Sequence, residues 1–538
     1  MRFSDYMRSR GSKQQNKKQA KSDQIEQQHL SDYENKKLSA KLDTNISELK
    51  AELGNSSDVV IRELELPGPF KAKAVLLYIQ GLVDEMRVNE TVVEALQAAS
   101  LNEDPLDRPE AALKEMKNKL LSGGRLEDAN NWKELFQGLF TGNAIVLLDG
   151  STTAIASSCV GGERRSVEEA KSEVTIRGPR EGFVESMRVN TALIRRKIRS
   201  PKLWLEQMTI GRETQTPVGI MYMKGLVDER VLQELRNRLG EIDIDGILDS
   251  GYIEELIADQ KWTPFPTYLS NERPDVIAAS LLEGRIAILV DGTPFVIVAP
   301  AIFNMFFQAA EDYYQRYDVA TFLRLLRFFS FFLALAMPSM YVAVVGYHQE
   351  MIPTPLLLKL VAQREGVPFP VYLEAFIMEF VFEILREAVV RMPSAVGNAI
   401  SIVGGMVIGQ SVVEAGIVSP AVVIVVAFTA ITSFVSPTYN LGIAARLLRF
   451  LLLAAASTLG FYGLSLIVLL VLLHLTNLRS LGMPYMKPFS PFMGKDWMDS
   501  IVRAPLWLLR NRPQMLASDN PTRSDLDVKA LEGEEPVQ

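Results

Sequence analysis

Four glutamates in an otherwise apolar segment are the residues whose types and spacing could do chemistry. Two arginines accompany them, and the charged set is Glu374, Glu379, Glu383, Arg386, Glu387 and Arg391. The last three glutamates recur every fourth residue, so on a helix they share one face and drift by about 40° at each step. Carboxylates on such a face could attract cations or form the gate of a water-filled pathway.

The cost of burying charge limits where these carboxylates can lie. A charged side chain facing lipid at mid-bilayer costs about 2.5 to 3.5 kcal/mol, so the acids must meet water, arginine or another subunit. A second interpretation places the segment 371–390 at the membrane interface, with Glu383–Arg386 and Glu387–Arg391 paired at helical spacing. Glu414, between the next two apolar segments, is a further candidate for the pathway.

Long apolar segments surround the acidic one and predict the helices that would position it. They are Phe328–Tyr347, Val396–Val413, Ala421–Val435 and Leu441–Leu478. The last is too long for one upright span and has two glycines near its middle, which predicts a broken pair or one long tilted helix. Gly405 and Gly409 have the small-xxx-small spacing that lets helices pack closely. We expect four to six spans.

Basic and aromatic residues flank the apolar half. Arg316, Arg324 and Arg327 precede the first span, as at a cytoplasmic membrane flank. Residues 1–325 should therefore face the cytoplasm. Arginines after residue 500 favour a cytoplasmic carboxyl end as well, which requires an even number of crossings.

An internal repeat organises the amino-terminal half. The sequence from Tyr78 to Glu85 is echoed from Tyr222 to Glu229, and Asp149-Gly150 is echoed by Asp291-Gly292. The offsets are 222 − 78 = 144 and 291 − 149 = 142 positions. Each copy predicts a strand, a helix starting at the acids, and a strand pair joined at Asp-Gly. Asp-Gly is common hairpin punctuation, so we interpret it as a turn rather than as a carboxylate active site.

A connector rich in glycine and arginine separates the two copies. It contains Gly178-Pro179-Arg180-Glu181-Gly182-Phe183 and a basic cluster, Arg195, Arg196, Lys197 and Arg199. The cluster could bind phosphate or a lipid headgroup, or it could be a solvated face paired with neighbouring acids. Both interpretations stay open from the sequence.

The composition argues against several classes of function. The net charge of −7 disfavours a nucleic-acid binder, and a single cysteine, Cys159, excludes an intrachain disulfide. The three histidines, His29, His348 and His474, lack partners at metal-ligand spacing. Phosphate-binding glycine loops, nucleophile elbows and dinucleotide fingerprints are missing from the sequence. We therefore expect no catalytic residues, no metal and no cofactor.

These patterns predict a duplicated α/β amino-terminal region followed by an all-α polytopic membrane domain. The expected division is a polar, disordered or loosely helical arm (1–57), two α/β subdomains (58–176 and 201–312) around a connector (177–200), the membrane domain (313–480) and a cytoplasmic tail (481–538).

The apolar half resembles the GerA family of spore germination proteins, and specifically its A-type subunits. The likeness is carried by Pro353-Thr354-Pro355, Val367-Pro368-Phe369-Pro370, Met378-Glu379, Phe382-Glu383, Leu385-Arg386-Glu387-Ala388, Arg391-Met392-Pro393, Gly404-Gly405 and Ala415-Gly416-Ile417-Val418-Ser419. The connector motif 178–183 also looks like that family's connector.

The resemblance implies an inner-membrane protein of the spore that works with a transporter-like B subunit and a lipoprotein C subunit. It further implies a homo-oligomer that forms a ligand-gated ion channel. Rival hypotheses are a non-conducting scaffold that relays signals, and a related germination protein encoded with the dipicolinate-channel proteins. A secondary transporter would show inverted repeats in the membrane half, and none is visible.

Overall fold

The chain folds into an α/β half and a helical half. The computed structural model describes residues 31–67, 72–97, 109–120, 125–161, 170, 173, 175–391, 409–513 and 520–523. His29, Gly405 and most of the predicted span Val396–Val413 lie outside these residues.

The first α/β unit is a five-stranded sheet with helices on both faces. Its strands are β1 (Val59–Glu65), β2 (Lys73–Ile79), β3 (Leu126–Ala129), β4 (Asn143–Leu148) and β5 (Ala154–Ser158). Its helices are α1 (Ser31–Glu34), α2 (Leu42–Leu53), α3 (Glu85–Arg87), α4 (Glu94–Gln97), α5 (Pro109–Leu120) and α6 (Trp132–Phe140), with a π-helical turn at Val88–Val93 between α3 and α4.

The second α/β unit repeats this plan. Its strands are β6 (Leu203–Ile210), β7 (Thr216–Met223), β8 (Leu269–Asn271), β9 (Ile286–Val290) and β10 (Val296–Ala299). Its helices are α7 (Met187–Lys197), α8 (Glu229–Gly240), α9 (Ser250–Leu256) and α10 (Pro274–Leu282). The strand orders are β1-β2-β4-β5-β3 and β6-β7-β9-β10-β8, and every pairing is antiparallel. The predicted duplication into two α/β units agrees with this arrangement.

Alternation along the central strands explains why each sheet is covered on both faces. In β2, Val75, Leu77 and Ile79 pack against α2 and α6. The intervening Ala74, Leu76 and Tyr78 pack against α5 and the π-helical turn. Because successive strand residues point to opposite faces, an unbroken apolar strand buries both sides of its sheet.

The two Asp-Gly pairs are turns, as predicted, and they also fix a helix in each unit. Gly150 and Gly292 have φ of 89° and 95°, in the region that favours glycine. Asp149 Oδ1 accepts a hydrogen bond from the backbone N–H of Leu42 (3.1 Å), and Asp291 Oδ1 accepts one from Met187 (2.9 Å). These carboxylates therefore satisfy the free N–H groups at the starts of α2 and α7.

Helix α2 differs from the expected disordered or loosely helical arm. Its apolar residues Leu42, Ile46, Leu49 and Leu53 are buried in the core of the first unit. Asn45 exchanges two hydrogen bonds with the backbone of Ser39, as Asn190 does with Val184. The offset, 190 − 45 = 145, shows that α2 and α7 are equivalent helices. The duplicated unit thus includes part of the arm and of the connector.

A buried ion pair joins the two units. Arg195 in α7 is fully buried and donates from Nε and from Nη2 (2.8 Å) to the carboxylate of Asp58, just before β1. Its Nη2 also donates to Ser56 Oγ (3.0 Å). Of the basic cluster in the connector, Arg195 is therefore neither a phosphate ligand nor part of a solvated face.

The helical half begins after a 3₁₀ turn at Phe303–Phe307. Its helices are α11 (Glu311–Tyr314), α12 (Tyr317–Tyr347), α13 (Thr354–Arg364), α14 (Val371–Arg391), α15 (Gly409–Glu414), α16 (Pro420–Ser433) and α17 (Tyr439–Asn477). Short 3₁₀ turns at Gln349–Met351 and Gly494–Asp499 and a small pairing of β11 (Arg479–Ser480) with β12 (Met483–Pro484) complete it. Among the described residues, α12 and α17 are long and apolar enough to cross a membrane.

Helix α17 reverses direction at Gly460, so it forms two arms. Gly460 has φ 59° and ψ −137°, which is not helical. Leu441 and Leu448 near the start of α17 share one buried cluster with Leu475 and Leu478 at its end. The long apolar segment is therefore the broken pair that the sequence left as one of two alternatives, and both arms end beside the second α/β unit.

A continuous core joins the second unit to the helical half. The same cluster includes Leu289 of β9, Phe306 of the 3₁₀ turn, Phe331 of α12 and Tyr485 after α17. Ser480 Oγ accepts from the backbone of Ala301 (3.0 Å) and donates to the backbone of Thr267 (2.6 Å). The chain from Ser480 onward, including the start of the predicted cytoplasmic tail 481–538, therefore packs on the second unit.

We predict that Gly460→Ala lowers the free energy of unfolding by about 1–3 kcal/mol. A Cβ at this position would require an unfavourable φ and would lie 2.9 Å from Tyr347 Cβ and His348 Cε1. Thermal unfolding of the purified chain in detergent measures the change.

The matched control is Gly442→Ala in the first arm, where a Cβ meets nothing within 4 Å. Alanine should leave the Tm unchanged or raise it, because it favours the helix. Equal Tm changes for the two variants would contradict the reversal at Gly460.

Candidate functional site

The centre of the candidate site is a buried ion pair between α14 and α17. Arg449 Nη1 donates to Glu379 Oε2 at 2.7 Å, and Arg449 Nε donates to the backbone oxygen of Ala334 in α12 at 2.8 Å. Both charged side chains are almost completely buried. Three helices therefore meet at one guanidinium group.

This pair is incompletely satisfied. Glu379 Oε1 and Arg449 Nη2 are buried and have no hydrogen-bond partner among the residues that the structure describes. An unpaired polar atom in an apolar interior loses its hydration without compensation, so this arrangement is more easily exchanged for another than a fully bonded one.

Glu383 extends the network one turn along α14. It lies 3.3 Å from Arg386 and 3.3 Å from Arg446, and Arg449 approaches it at 3.9 Å. Arg386 also donates to Ser433 Oγ of α16 (2.7 Å) and lies over the ring of Phe382. The side chain of Glu383 is 19% exposed, so this end of the network lies at the surface of the helices rather than in their interior.

Glu374 is held at the opposite end of α14. Its Oε2 accepts from the backbone N–H of Ser419 (2.9 Å), at the start of α16, and its Oε1 accepts from Arg364 Nε (3.3 Å). The carboxylate is fully buried, while Arg364 is partly exposed. Glu374 therefore fixes the start of α16 rather than facing an open pathway.

The remaining predicted residues lie outside the buried network. Glu387 is 61% exposed and pairs with Arg391 at 2.6 Å. Glu414 is exposed and accepts from Gln410 (2.7 Å). Among the described residues, a Cβ at Gly409 would make only an ordinary contact with Val423 at 3.8 Å, and its predicted packing partner Gly405 lies outside them.

A second charged network lies where α12 leaves the α/β half. Asp312 is fully buried and accepts from Arg324 Nε and Arg327 Nη1, both at 2.8 Å. Arg324 also donates to Asp499 (2.9 Å), whose other oxygen accepts from Tyr313 (2.9 Å). Burial raises the pKa of the Tyr313 hydroxyl, which keeps it a donor. Arg324 and Arg327, predicted as a flank at the membrane surface, are thus structural ion-pair partners.

An acid-lined cavity of about 350 Å³ separates the second unit from the first arm of α17. Its walls include Glu173, Asp249, Glu254, Phe306 and Tyr439. Burial raises the pKa of Glu173 to about 7. Burial, and then the neighbouring Asp249, raise the pKa of Glu254 to about 7. These two acids titrate near neutral pH.

Sequence reasoning missed the basic half of the site. Arg446 and Arg449 lie three positions apart within an apolar arm, and arginine in such a setting requires a carboxylate or a carbonyl partner. That signal was present in the sequence. The sequence did not show which carboxylates these arginines pair with, because Glu379 lies 449 − 379 = 70 positions before Arg449.

Comparisons with known proteins agree with the likeness seen in the sequence. Residues 47–515 match the model of a family described as Bacillus/Clostridium GerA spore germination protein. The chain is 47% identical over 492 residues to spore germination protein KA of Bacillus subtilis, covering 91% of this chain and 90% of that protein. It is 40% identical to the B. subtilis protein described as uncharacterized membrane protein YfkQ, covering 91% and 94% of the two chains.

A solved structure resembles the amino-terminal half. It is the crystal structure of the N-terminal domain of the A subunit of the Bacillus megaterium spore germinant receptor GerK3, with 39% sequence identity and a TM-score of 0.39. The match covers 50% of this chain and 97% of that chain.

We predict that Arg449→Met destabilises the protein by about 3–5 kcal/mol, because it leaves Glu379 charged and unpaired in an apolar interior. Replacing both partners, Glu379→Met with Arg449→Met, should recover most of the loss, since no charge then remains buried. Chemical unfolding in detergent measures both variants.

The control for this pair is Arg212→Met, which removes an exposed ion pair with Asp243 and should cause no measurable change. A double variant no more stable than Arg449→Met alone would contradict the assignment of the buried pair.

We also predict a pH dependence from the acid-lined cavity. A glutamate whose pKa is about 7 in the folded protein and near 4.5 otherwise binds more protons folded, so stability falls as pH rises from about 4.5 to 7. Glu254→Gln should remove about 1–2 kcal/mol of this fall. Unfolding at pH 5 and pH 8 measures the difference, and the exposed neighbour variant Glu255→Gln should keep the wild-type profile. A wild-type profile for Glu254→Gln would exclude this group.

Proposed function

This chain belongs to the GerA family of Bacillus/Clostridium spore germination proteins, and we propose that it is the membrane-embedded A-type subunit of a nutrient germinant receptor that forms a ligand-gated ion channel as an oligomer. The observation that carries this proposal is the charged network of Glu379, Glu383, Arg446 and Arg449 among apolar helices. Ionisable residues in such a setting are rare and are usually functional.

The apolar surface of the helices supports a multi-pass position in the inner membrane of the spore. Only 17% of the most apolar stretch of α17 is buried within the chain. Its exposed leucines therefore need apolar surroundings. In the proposed arrangement α12, α14, α16 and the two arms of α17 are five of six crossings, and the sixth is the span that the sequence predicts at Val396–Val413. An even number keeps both the α/β half and the segment after α17 on one side of the bilayer. The α/β half lies on the cytoplasmic, core-facing side.

The network acts as a gate in this proposal, not as the wall of an open pore. In the part of the chain that the structure describes, Glu379 is paired with Arg449 alone, whereas Glu383 is shared among Arg386, Arg446 and Arg449. A shift of α14 against α17 by part of a turn would exchange these partners and expose carboxylates to a water-filled path. Glu387 and Glu414, which are exposed, are the candidates for attracting cations at its ends.

The partners follow from the family. We propose that the chain assembles with further copies of itself, with a transporter-like B subunit that senses the nutrient, and with a lipoprotein C subunit. No catalytic residue, metal or cofactor has a role in this proposal.

A non-conducting scaffold that relays a signal is the second candidate. The observation that favours it is the direct coupling between the halves: Thr438 at the start of α17 donates to the backbone oxygen of Phe306 (3.1 Å), within the core that continues into the second sheet. A ligand-driven movement of the sheet would be transmitted to α17 even if no ion passed through this chain.

We predict that Glu379→Gln with Glu383→Gln raises ion release in the absence of germinant several-fold, because the neutral side chains no longer hold Arg446 and Arg449 in place. Ion release is measured in spores that carry the variant, and an immunoblot checks that the protein is as abundant as the wild type. The matched control is Asp243→Asn with Arg212→Gln on the surface of the second unit, which should behave as wild type.

Reconstitution of the purified chain in lipid vesicles separates the two candidates. Ion flux through the chain alone favours the channel, and its absence together with intact germination favours the scaffold. Conductance that is the same in wild type and in the double glutamine variant would remove Glu379 and Glu383 from the gate.

A further inference from the structure

A tryptophan on the second α/β unit is almost fully exposed. Trp262 is 95% exposed, in the loop that follows α9. Leu248, just before α9, and Tyr252 and Leu256 on α9 are exposed as well, and the last two lie one helical turn apart on the same face. We call these four residues the Trp262 surface. Several large apolar side chains exposed within residues 248–262 mark a candidate contact surface.

Two contacts fix the position of this loop against the helical half. Thr263 Oγ1, next to Trp262, lies 2.9 Å from His474 Nε2, and the ring of Phe265 lies 6.3 Å from the His474 ring. His474 is in the last turn of the second arm of α17, which ends at Asn477. The loop therefore sits at the ends of the arms that face the α/β half.

The first arm of α17 meets the same loop. Asn440 and Ile443 line a surface depression together with Gly251, Lys261 and Thr263. The exposed leucines of the arms begin within about one turn of these contacts, at Leu447 on the first arm and Leu473 on the second. The loop that carries Trp262 thus adjoins the part of α17 where the exposed apolar surface begins, and the depression between them is also lined by Glu254, Glu255 and Gln260.

The charges around the Trp262 surface identify the kind of lipid that it fits. Asp249 and Glu255 are exposed beside Leu248 and Leu256, and Lys261 is the only basic residue adjacent to Trp262 in the loop 259–263. Such a surface has no excess of positive charge to attract anionic headgroups. Its contact must come from tryptophan, tyrosine and leucine, which favour the boundary between headgroups and acyl chains.

We propose that the Trp262 surface docks into the headgroup region of the bilayer beside α17 and anchors the second α/β unit to the membrane. The occupant is a zwitterionic lipid bilayer, and anionic lipid is not required. This inference rests on the proposed function, in which the arms of α17 cross the bilayer. It adds a second attachment of the unit to the membrane, separate from the helices themselves, and so fixes the tilt of the sheet against the lipid.

The test uses the full chain in phosphatidylcholine vesicles with a polarity-sensitive fluorophore on Trp262→Cys. Trp262 is exposed, so the substitution leaves the core intact, and the natural Cys159 is buried and gives the labelling background. The expected result is a blue-shifted emission that is quenched at least twofold more strongly by shallow than by deep nitroxide lipids. Adding anionic lipid should not change it.

Fluorophores at two control positions give the reference signals for water and for the bilayer interior. Met86→Cys, exposed on the first unit, should give water-like emission, and Leu470→Cys, exposed in the second arm, should be quenched most by deep nitroxides. Water-like emission at position 262 with quenching at 470 overturns the anchor and leaves the spanning helices standing. A blue shift at 262 without lipid quenching also overturns it, since protein then covers the surface. Absent quenching at 470 would instead contradict the membrane position in the proposed function.

Discussion

The ion pair between Glu379 and Arg449 is the interaction on which the packing of the helical half depends. A carboxylate or a guanidinium group alone in that interior would cost several kcal/mol, so each residue makes the other tolerable. Because Arg449 also bonds to the backbone of α12, the pair sets the mutual positions of α12, α14 and α17. The movement that the proposed gate requires would therefore have to give both Glu379 and Arg449 new partners.

The α/β half was largely predictable because its signals are local. The helix starts at Glu85 and Glu229 follow from the acidic turns, and the structure adds that Asp84 and Asp228 cap them by accepting from backbone N–H groups. The two Asp-Gly hairpins also follow from neighbouring residues alone. What the sequence did not reveal is that the hairpin aspartates reach across the fold to α2 and α7, since those contacts join residues more than 100 positions apart.

The charged site was only half predictable, for physical reasons. The spacing of the glutamates in α14 and the pairing of Glu387 with Arg391 are properties of one helix, and a single helix can be read from its period. The arginines that neutralise Glu374 and Glu379 come from other helices, so their identity depends on packing. For helix α2, by contrast, a local pattern was present in the sequence but was not recognised. Its apolar spacing at residues 42, 46, 49 and 53 was readable, but the lysines and glutamines around it masked the pattern.

The return of the chain after Ser480 has a consequence for biosynthesis. Arg324, near the start of α12, pairs with Asp312, which is translated before it. Its second carboxylate partner, Asp499, is translated 175 residues after it. Asn304 likewise donates a hydrogen bond to Ser500 Oγ (3.0 Å), a residue that is translated much later. While the ribosome is still translating that stretch, the first long helix carries a guanidinium group with only one of its two counter-ions. A product truncated before residue 499 would keep Arg324 short of one counter-ion in a buried position, so truncation there would weaken the contact between the first long helix and the α/β half.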